Sequence, residues 1–179
     1  MNSVNHPDKT DFTFHKEQIH PKAMIARSVI ILGQVDIEEE VNIWFQSVIR
    51  GDTEKIHIQA GTNVQEGCII HADPGFPVAI GAKCTLGHGA VVHGAQIGAG
   101  CIIGIRATIL NGVKIGANSL VAAGSLLPPG KSYPANSFII GSPATVRRDL
   151  SRIEIAKNIE IAERYIQKAR QLGPEYRIF

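Results

Sequence analysis

Three of the seven histidines stand at spacings that could bring imidazole rings to one metal ion. His71 directly follows Ile70, and His93 directly follows Val92; both aliphatic residues belong to a regular series. His88 lies five residues before His93. Neutral imidazole nitrogens bind zinc and other divalent metals, and three of them with an open fourth position are typical of catalytic zinc.

The series that carries these histidines is an aliphatic residue at nearly every sixth position. Six is not a helical period, and the residues that follow are often glycine or alanine, as in IGAKCT and IGAGCI, which suits tight corners. This pattern is typical of a hexapeptide β-helix, in which stacked coils share one core. The series comprises Ile25, Ile31, Ile37, Ile43, Ile49, Ile58, Val64, Ile70, Ile80, Leu86, Val92, Ile97, Ile103, Ile109, Ile115, Val121 and Leu127.

Composition favours a narrow core. Glycine accounts for 18 of 179 residues, and no Phe, Tyr or Trp occurs from Pro77 to Ser132. A core of that length normally uses aromatic side chains for bulk, so one packed with medium-sized aliphatic side chains is the better prediction. We expect the three cysteines to be buried and unpaired rather than joined in disulfides.

Charge and hydropathy argue against nucleic-acid and membrane partners. The formal net charge of +2 gives no reason to expect nucleic acid. The first 24 residues contain no apolar signal-peptide region, and no later stretch approaches the roughly 18 apolar residues of a membrane span. We therefore expect a cytoplasmic protein with no membrane partner.

Irregular steps in the series predict where the chain leaves the coil. The step from Ile49 to Ile58 is nine residues, and that from Ile70 to Ile80 is ten. Extra residues in a solenoid must loop outward, and the sequence DPGFP at 73–77 has turn chemistry. We predict a protrusion there, and such protrusions often carry sites.

Two of the histidines are predicted to stack. Ile70 and Val92 are 22 residues apart, and removing the four extra residues of the protrusion leaves 18, or three hexads. If three hexads make one coil, His71 and His93 occupy equivalent places on successive coils, about 4.8 Å apart. Two imidazoles at that separation can share one metal ion.

The third histidine is predicted to act in a neighbouring subunit. His88 lies two residues past Leu86, on the adjoining face, and the extended chain around a corner carries it away from His93. A shared site demands a cyclic interface, and a homotrimer is the natural closure for the three-sided coil that the resemblance to hexapeptide-repeat proteins implies. The alternative is that histidines at solenoid turns are solvated or bond backbone carbonyls.

The chain changes character after Pro143. Ser151 and Glu154 have the capping-box spacing that begins a helix. We divide the chain into an N-terminal cap at 1–20, a β-helix at 21–145, and a C-terminal helix and tail at 146–179. The helix is predicted to pack its apolar stripe on a face of the β-helix or across a subunit boundary. That stripe comprises Ile155, Ile159, Ala162, Ile166 and Ala169.

Several motifs together resemble one family. They are Arg50-Gly51-Asp52, TNVQEG followed by Ile70-His71, LGHGAVVHGAQIG, LNGVKIG and GSPATVRR. Over roughly residues 25–150 the chain resembles the gamma-class carbonic anhydrase family. The resemblance implies an all-β solenoid, a left-handed parallel β-helix of hexapeptide repeats, followed here by the C-terminal α-helix.

The resemblance also implies a reaction. His71, His88 and His93 look like metal ligands drawn from two chains, and metal-bound hydroxide would hydrate CO2 to bicarbonate. Zinc is the expected metal, although imidazole sites also accept Fe2+ or Co2+.

Four further residues look like members of the same site. Gln65 would hydrogen-bond the metal-bound hydroxide or bicarbonate, and Asn111 would line the pocket from the adjoining subunit. Arg50 and Asp52 look like an interface pair, with Arg50 near the substrate. Each also has a structural reading: an ion pair that fixes register, or an amide that satisfies turn backbone.

The chain departs from the active enzymes of this family in its acidic groups. Thr53 follows Asp52, only Asp73 follows His71 in the short loop, and Glu66 stands where Asp is common. Glu54 and Glu66 are the candidate carboxylates to relay the hydration proton to solvent, but the spacing does not establish either. Metal binding is therefore the firmer expectation than turnover.

Other functions remain open at this stage. Many hexapeptide β-helix proteins are acyltransferases that use coenzyme A, with one histidine as general base. Hydrolysis of an acyl-CoA thioester and a catalytically weak structural homologue are further alternatives. Paired histidines favour the metal, because two stacked imidazolium ions would repel.

Overall fold

Short parallel strands stack into a three-sided coil in this computed structural model, which describes residues 10–178. Every aliphatic residue of the six-residue series points into the coil and is at most 6% exposed. Each coil contributes one strand to each of three faces, here called A, B and C. The predicted parallel β-helix of hexapeptide repeats with one C-terminal helix is confirmed.

The strands of the three faces have the following bounds. Face A contains β1 (Met24–Ile25), β3 (Asn42–Ile43), β5 (Asn63–Val64), β8 (Thr85–Leu86), β11 (Ile102–Ile103), β14 (Leu120–Val121) and β17 (Ser137–Gly141), with β18 (Ala144–Asp149) antiparallel to β17. Face B contains the first parts of β2 (Ile30–Ile37) and β4 (Val48–Ile58), then β6 (Ile69–His71), β9 (Val91–His93), β12 (Thr108–Ile109) and β15 (Leu126–Leu127). Face C contains the second parts of β2 and β4, then β7 (Val78–Ile80), β10 (Gln96–Ile97), β13 (Lys114–Ile115) and β16 (Ser132–Tyr133).

The repeated IGA sequences have a steric cause. A Cβ atom added to Gly81 would lie 2.4 Å from the backbone nitrogen of Ala99, and one added to Gly116 would lie 2.3 Å from that of Ala135. Successive coils approach so closely at this corner that only glycine fits.

The two long steps in the series form adjacent protrusions. Strand β4 places several residues opposite Gln34, so that Thr53 and its neighbours bulge outward. After His71, the backbone nitrogen of Phe76 donates to the Asp73 carbonyl (2.8 Å) across an exposed turn, as predicted. The two protrusions touch, because Thr53 Oγ1 donates to the Ala72 carbonyl (2.7 Å).

The helix α1 (Arg152–Gln171) covers part of face A. Its capping box is present: Ser151 Oγ accepts from the Glu154 amide, and the Glu154 carboxylate accepts from the Ser151 amide. Tyr165 packs edge-on against Trp44 of the coil, with ring centroids 5.7 Å apart. The helix therefore packs on its own chain's coil, which is the first of the two arrangements that the sequence left open.

The chain ends and the cysteines complete the description. Residues 10–20 begin the stack, since Phe14 pairs with Gly33 and Ile19 with Ile37; the rest of the predicted N-terminal cap lies outside the described residues. All three cysteines are buried and free. Among the described residues, no helix has the length and apolarity that spanning a membrane requires.

Candidate metal centre

His71 and His93 lie side by side on face B, as their spacing predicted. They are paired in register on β6 and β9, one coil apart, with ring centroids 4.9 Å apart. Because Ile70 and Val92 point inward, the strand alternation turns both imidazoles outward. His71 Nδ1 is 2.9 Å from His93 Nε2.

The other ring nitrogen of His71 faces a carboxylate. Asp52 Oδ1 lies 3.1 Å from His71 Nε2, and Asp52 Oδ2 accepts from Arg50 Nη1 at 2.5 Å. Burial raises the pKa of Asp52, but hydrogen bonds from Arg50, the backbone and His71 outweigh it and lower the pKa below its ordinary value. An ionised carboxylate can only accept, so His71 Nε2 carries the hydrogen.

A side-chain amide likewise sets the protonation of His93 Nδ1, the ring nitrogen that points away from His71. Asn111 Oδ1 lies 2.6 Å from His93 Nδ1, and Asn111 Nδ2 donates to Asp73 Oδ2 at 2.9 Å. Because the carboxylate needs a donor, Asp73 orients the amide with its oxygen toward His93. His93 Nδ1 therefore carries the hydrogen.

These two contacts leave a place for a cation. When both rings are neutral, His71 Nδ1 and His93 Nε2 present lone pairs to each other at 2.9 Å. Two lone pairs at that distance repel unless a proton or a metal ion lies between them. Donor atoms on one zinc ion lie at most about 4.2 Å apart, given bonds of about 2.0–2.2 Å, so this nitrogen pair fits a metal.

A carboxylate oxygen faces the same point. Asp73 Oδ1 lies 3.8 Å from both His71 Nδ1 and His93 Nε2. Within the described part of the chain, His71, His93 and Asp73 are the group of His, Cys, Asp or Glu side chains close enough to hold one ion. Sequence reasoning mentioned Asp73 only as the acidic residue of the short loop after His71, because nothing in the spacing shows where its side chain points.

His88 stands at the opposite edge of face B, in the corner that follows strand β8. Its side chain is 48% exposed, and its Nδ1 lies 2.7 Å from Glu66 Oε2. His88 is not part of the group formed by His71, Asp73 and His93. One chain therefore does not gather the three histidines, and a ligand from a second subunit stays a prediction.

Gln65 and Asn111 lie on opposite sides of face B. Gln65 is buried and lies one coil before Gly87, the residue that precedes His88. Its Nε2 donates to Asn63 Oδ1 at 3.2 Å. Gln65 therefore lies on the side of face B that carries His88, not on the side that carries His93. Asn111 was expected to enter the pocket from an adjoining subunit. That expectation is wrong for its side chain, which bonds His93 of its own chain one coil away.

Face B carries a largely apolar outer column. One outward column along it runs in register from Ile30 to Leu126, and Ile30 and Ile69 are 51% and 41% exposed. On face C the matching column is largely polar, and α1 covers part of face A. The face B column comprises Ile30, Val48, Ile69, Val91, Thr108 and Leu126.

Comparison with known proteins identifies relatives over most of the chain. Residues 94–129 match the family described as "Bacterial transferase hexapeptide (six repeats)" and residues 77–104 that described as "Hexapeptide repeat of succinyl-transferase". A Methanocaldococcus jannaschii protein named "Probable carbonic anhydrase" is 42% identical over 86% of this chain and 97% of its own length. The protein named "Carbonic anhydrase" of Geobacillus kaustophilus is 39% identical over 84% of this chain and 83% of its own.

A solved structure agrees with the fold. The hexapeptide transferase family protein from Anaplasma phagocytophilum superposes with a TM-score of 0.83 at 31% identity, covering 87% of this chain and 92% of its own.

Proposed function

We propose that this chain, which belongs to the gamma-class carbonic anhydrase family of hexapeptide-repeat proteins, is a metal-dependent enzyme that hydrates CO2 to bicarbonate. The observation that carries the proposal is the pair of facing nitrogens, His71 Nδ1 and His93 Nε2. The other nitrogen of each ring already donates a hydrogen bond, to Asp52 or to Asn111. A single general base would need only one such ring.

The metal we propose is zinc, with Fe2+ or Co2+ as alternatives. When bound, zinc lowers the pKa of a coordinated water to about 7 and so supplies hydroxide at neutral pH. The chain's own residues keep the ligands in the right protonation state: Asp52 holds the hydrogen on His71 Nε2, and Asn111 holds that on His93 Nδ1. Such partners orient ligands and raise their basicity.

We propose that the active form is a homotrimer built through face B. This face is bounded by the corner of His88 on one side and by His71 and His93 on the other. A cyclic contact between copies of face B would cover its apolar column and bring His88 of one chain toward the histidine pair of the next. Glu66, 2.7 Å from His88 Nδ1, would leave Nε2 of His88 free for the ion.

Two residues would act beside the metal ligands. Arg50 lies in register with His71 one coil earlier, and its side chain is 39% exposed, so it can both hold Asp52 and reach a bicarbonate oxygen. Gln65 would approach from the neighbouring chain together with His88.

The three free cysteines suit a reducing compartment, and we propose a cytoplasmic location.

An acyl-transfer function is the second candidate, because the structurally similar protein is described as a hexapeptide transferase. Transfer from an acyl-CoA, or hydrolysis of its thioester, would use the same histidine site. Measuring release of free coenzyme A from acetyl-CoA, with and without an added amine acceptor and with and without bound metal, separates transfer and hydrolysis from CO2 hydration.

The test of the proposed function is the metal content and CO2 hydration rate of the wild type and of His93→Ala. We expect stoichiometric metal and hydration in the wild type, and weakened metal binding with loss of hydration in the variant. His57→Ala is the matched control, since His57 lies on face C and contacts Glu38. Wild-type protein that binds no metal under any loading condition would refute the proposal.

A further inference from the structure

We propose that Asp73 is itself a ligand of the metal ion, so that one chain supplies two imidazoles and one carboxylate. This inference rests on the proposed metal site and goes beyond it, since a three-histidine site needs no carboxylate. His88 of the partner subunit would then be the fourth protein ligand, and the ion would take the water that hydration needs as a further ligand.

The position of Asp73 Oδ1 carries the inference. It lies 3.8 Å from His71 Nδ1 and 3.8 Å from His93 Nε2, which themselves are 2.9 Å apart. All three separations fall below the limit of about 4.2 Å for donor atoms that share one ion.

The other oxygen of Asp73 is held elsewhere. Asp73 Oδ2 accepts from Asn111 Nδ2 at 2.9 Å, which aims Oδ1 at the rings. The backbone carbonyl of Asp73 accepts from the Phe76 amide (2.8 Å), and Gly75 N donates to Glu54 Oε2 (3.2 Å). These contacts hold Asp73 and Gly75 of the predicted protrusion in place, and the role of the protrusion in this proposal is to present the carboxylate.

The donor set has chemical consequences. Two imidazoles and one carboxylate suit Zn2+ and also Fe2+, for which this combination is a common site. Because the three donors come from one chain, a protein without His88 should still bind metal, more weakly. A site of three histidines alone would be left with two ligands in that variant.

The substitution that isolates the ligand role is Asp73→Asn. An asparagine at 73 can keep its oxygen on Asn111 Nδ2 and so preserve the orientation of His93, but it offers no carboxylate to the ion. Asp36→Asn is the matched control, because Asp36 lies on face C and pairs with Lys55. The probe is Co2+, whose visible spectrum reports the number and type of ligands.

With full-length protein we expect Asp73→Asn to weaken Co2+ binding at least about tenfold, a loss that even outer partners of metal ligands can cause. We also expect its Co2+ spectrum to change, which a purely electrostatic role would not produce. His88→Ala should retain measurable Co2+, and His88→Ala combined with Asp73→Asn should not.

Three outcomes would overturn the inference, and the first two are distinguishable. If the wild type binds Co2+ and the Asp73→Asn spectrum is superimposable on it, Asp73 is no ligand, while the proposed function stands. If the wild type binds no metal at all, the proposed function and this inference fail together. A His88→Ala variant that loses all metal would also count against a ligand set within one chain.

Discussion

The protonation of two ring nitrogens is set by residues far apart in the chain. His93 Nδ1 is a donor because Asn111 presents its oxygen, and Asn111 does so because Asp73 occupies its nitrogen. Asp73 and Asn111 are 38 residues apart, and a hydrogen bond joins them across the end of the protrusion. The consequence is a pair of lone pairs that only a cation can satisfy.

Asn111→Leu tests this chain of contacts. Leucine removes the acceptor for His93 Nδ1, so the ring can turn or change tautomer, and we expect metal affinity to fall about 10- to 100-fold. Gln96→Leu, an exposed amide on face C, is the control. Metal competition titrations measure both; equal affinities in the two variants would contradict the positioning role of Asn111.

At the scale of the elements, the corners decide whether coils can stack. The IGA motifs predicted corners because they are rich in small residues. The structure adds the reason for the glycine, which is its close contact with the backbone of the next coil. At Gly116 an added Cβ would meet the backbone of Pro134 and Ala135, which cannot move aside without breaking the ladder between coils.

We therefore expect Gly116→Ala to destabilise the fold by about 1–3 kcal/mol, the usual cost of overpacking. Denaturant unfolding followed by circular dichroism gives the free energy of unfolding. Ala99→Ser is the control at an exposed position of the same corner column. A Gly116→Ala variant as stable as the control would show that the coils can separate locally.

The helix carries a charge-dependent cap. A hydrogen bond from Arg148, followed by those from Ser151, lowers the pKa of Glu154 to about 2 from an ordinary value of 4.5. Because the pKa is lower in the folded state, this contribution to stability is complete above pH 4.5 and is lost as pH falls toward 2.

Glu154→Gln should therefore be less stable than the wild type at pH 7, and the difference should shrink between pH 4.5 and pH 2. Thermal unfolding across this pH range provides the measurement. Glu160→Gln, an exposed acid of the same helix for which no such contact occurs among the hydrogen bonds of the described residues, should show no such trend. A constant difference at all pH values would refute the role of the Glu154 charge.

At the scale of the whole molecule, the three faces have different outer surfaces. α1 covers part of face A, face C is largely polar, and face B exposes aliphatic side chains between the corner of His88 and the histidine pair. The period of six predicts the inward residues of all three faces and does not distinguish their outer surfaces. The difference between them depends on which outward positions align over successive coils, and on where the helix packs.

Ile69→Asp tests whether face B joins copies of the chain. A carboxylate in the centre of the apolar column would be buried without a partner in the trimer, so we expect a shift from three chains to one. Ala79→Asp places the same charge on face C and should leave the mass of the assembly in solution unchanged. Analytical ultracentrifugation distinguishes the two; wild-type protein that is already monomeric would contradict the trimer.

The sequence by itself determined the coil, the stacking of His71 on His93, the protrusion at 73–77 and the capped helix. Each of these follows from spacing along the chain, because a coil of fixed length converts sequence separation directly into register. Tertiary structure alone decided where Asp73 Oδ1 and the Asn111 amide point, and which face stays open. Those directions depend on hydrogen bonds and packing between distant residues at corners, where the repeat imposes no orientation on a side chain.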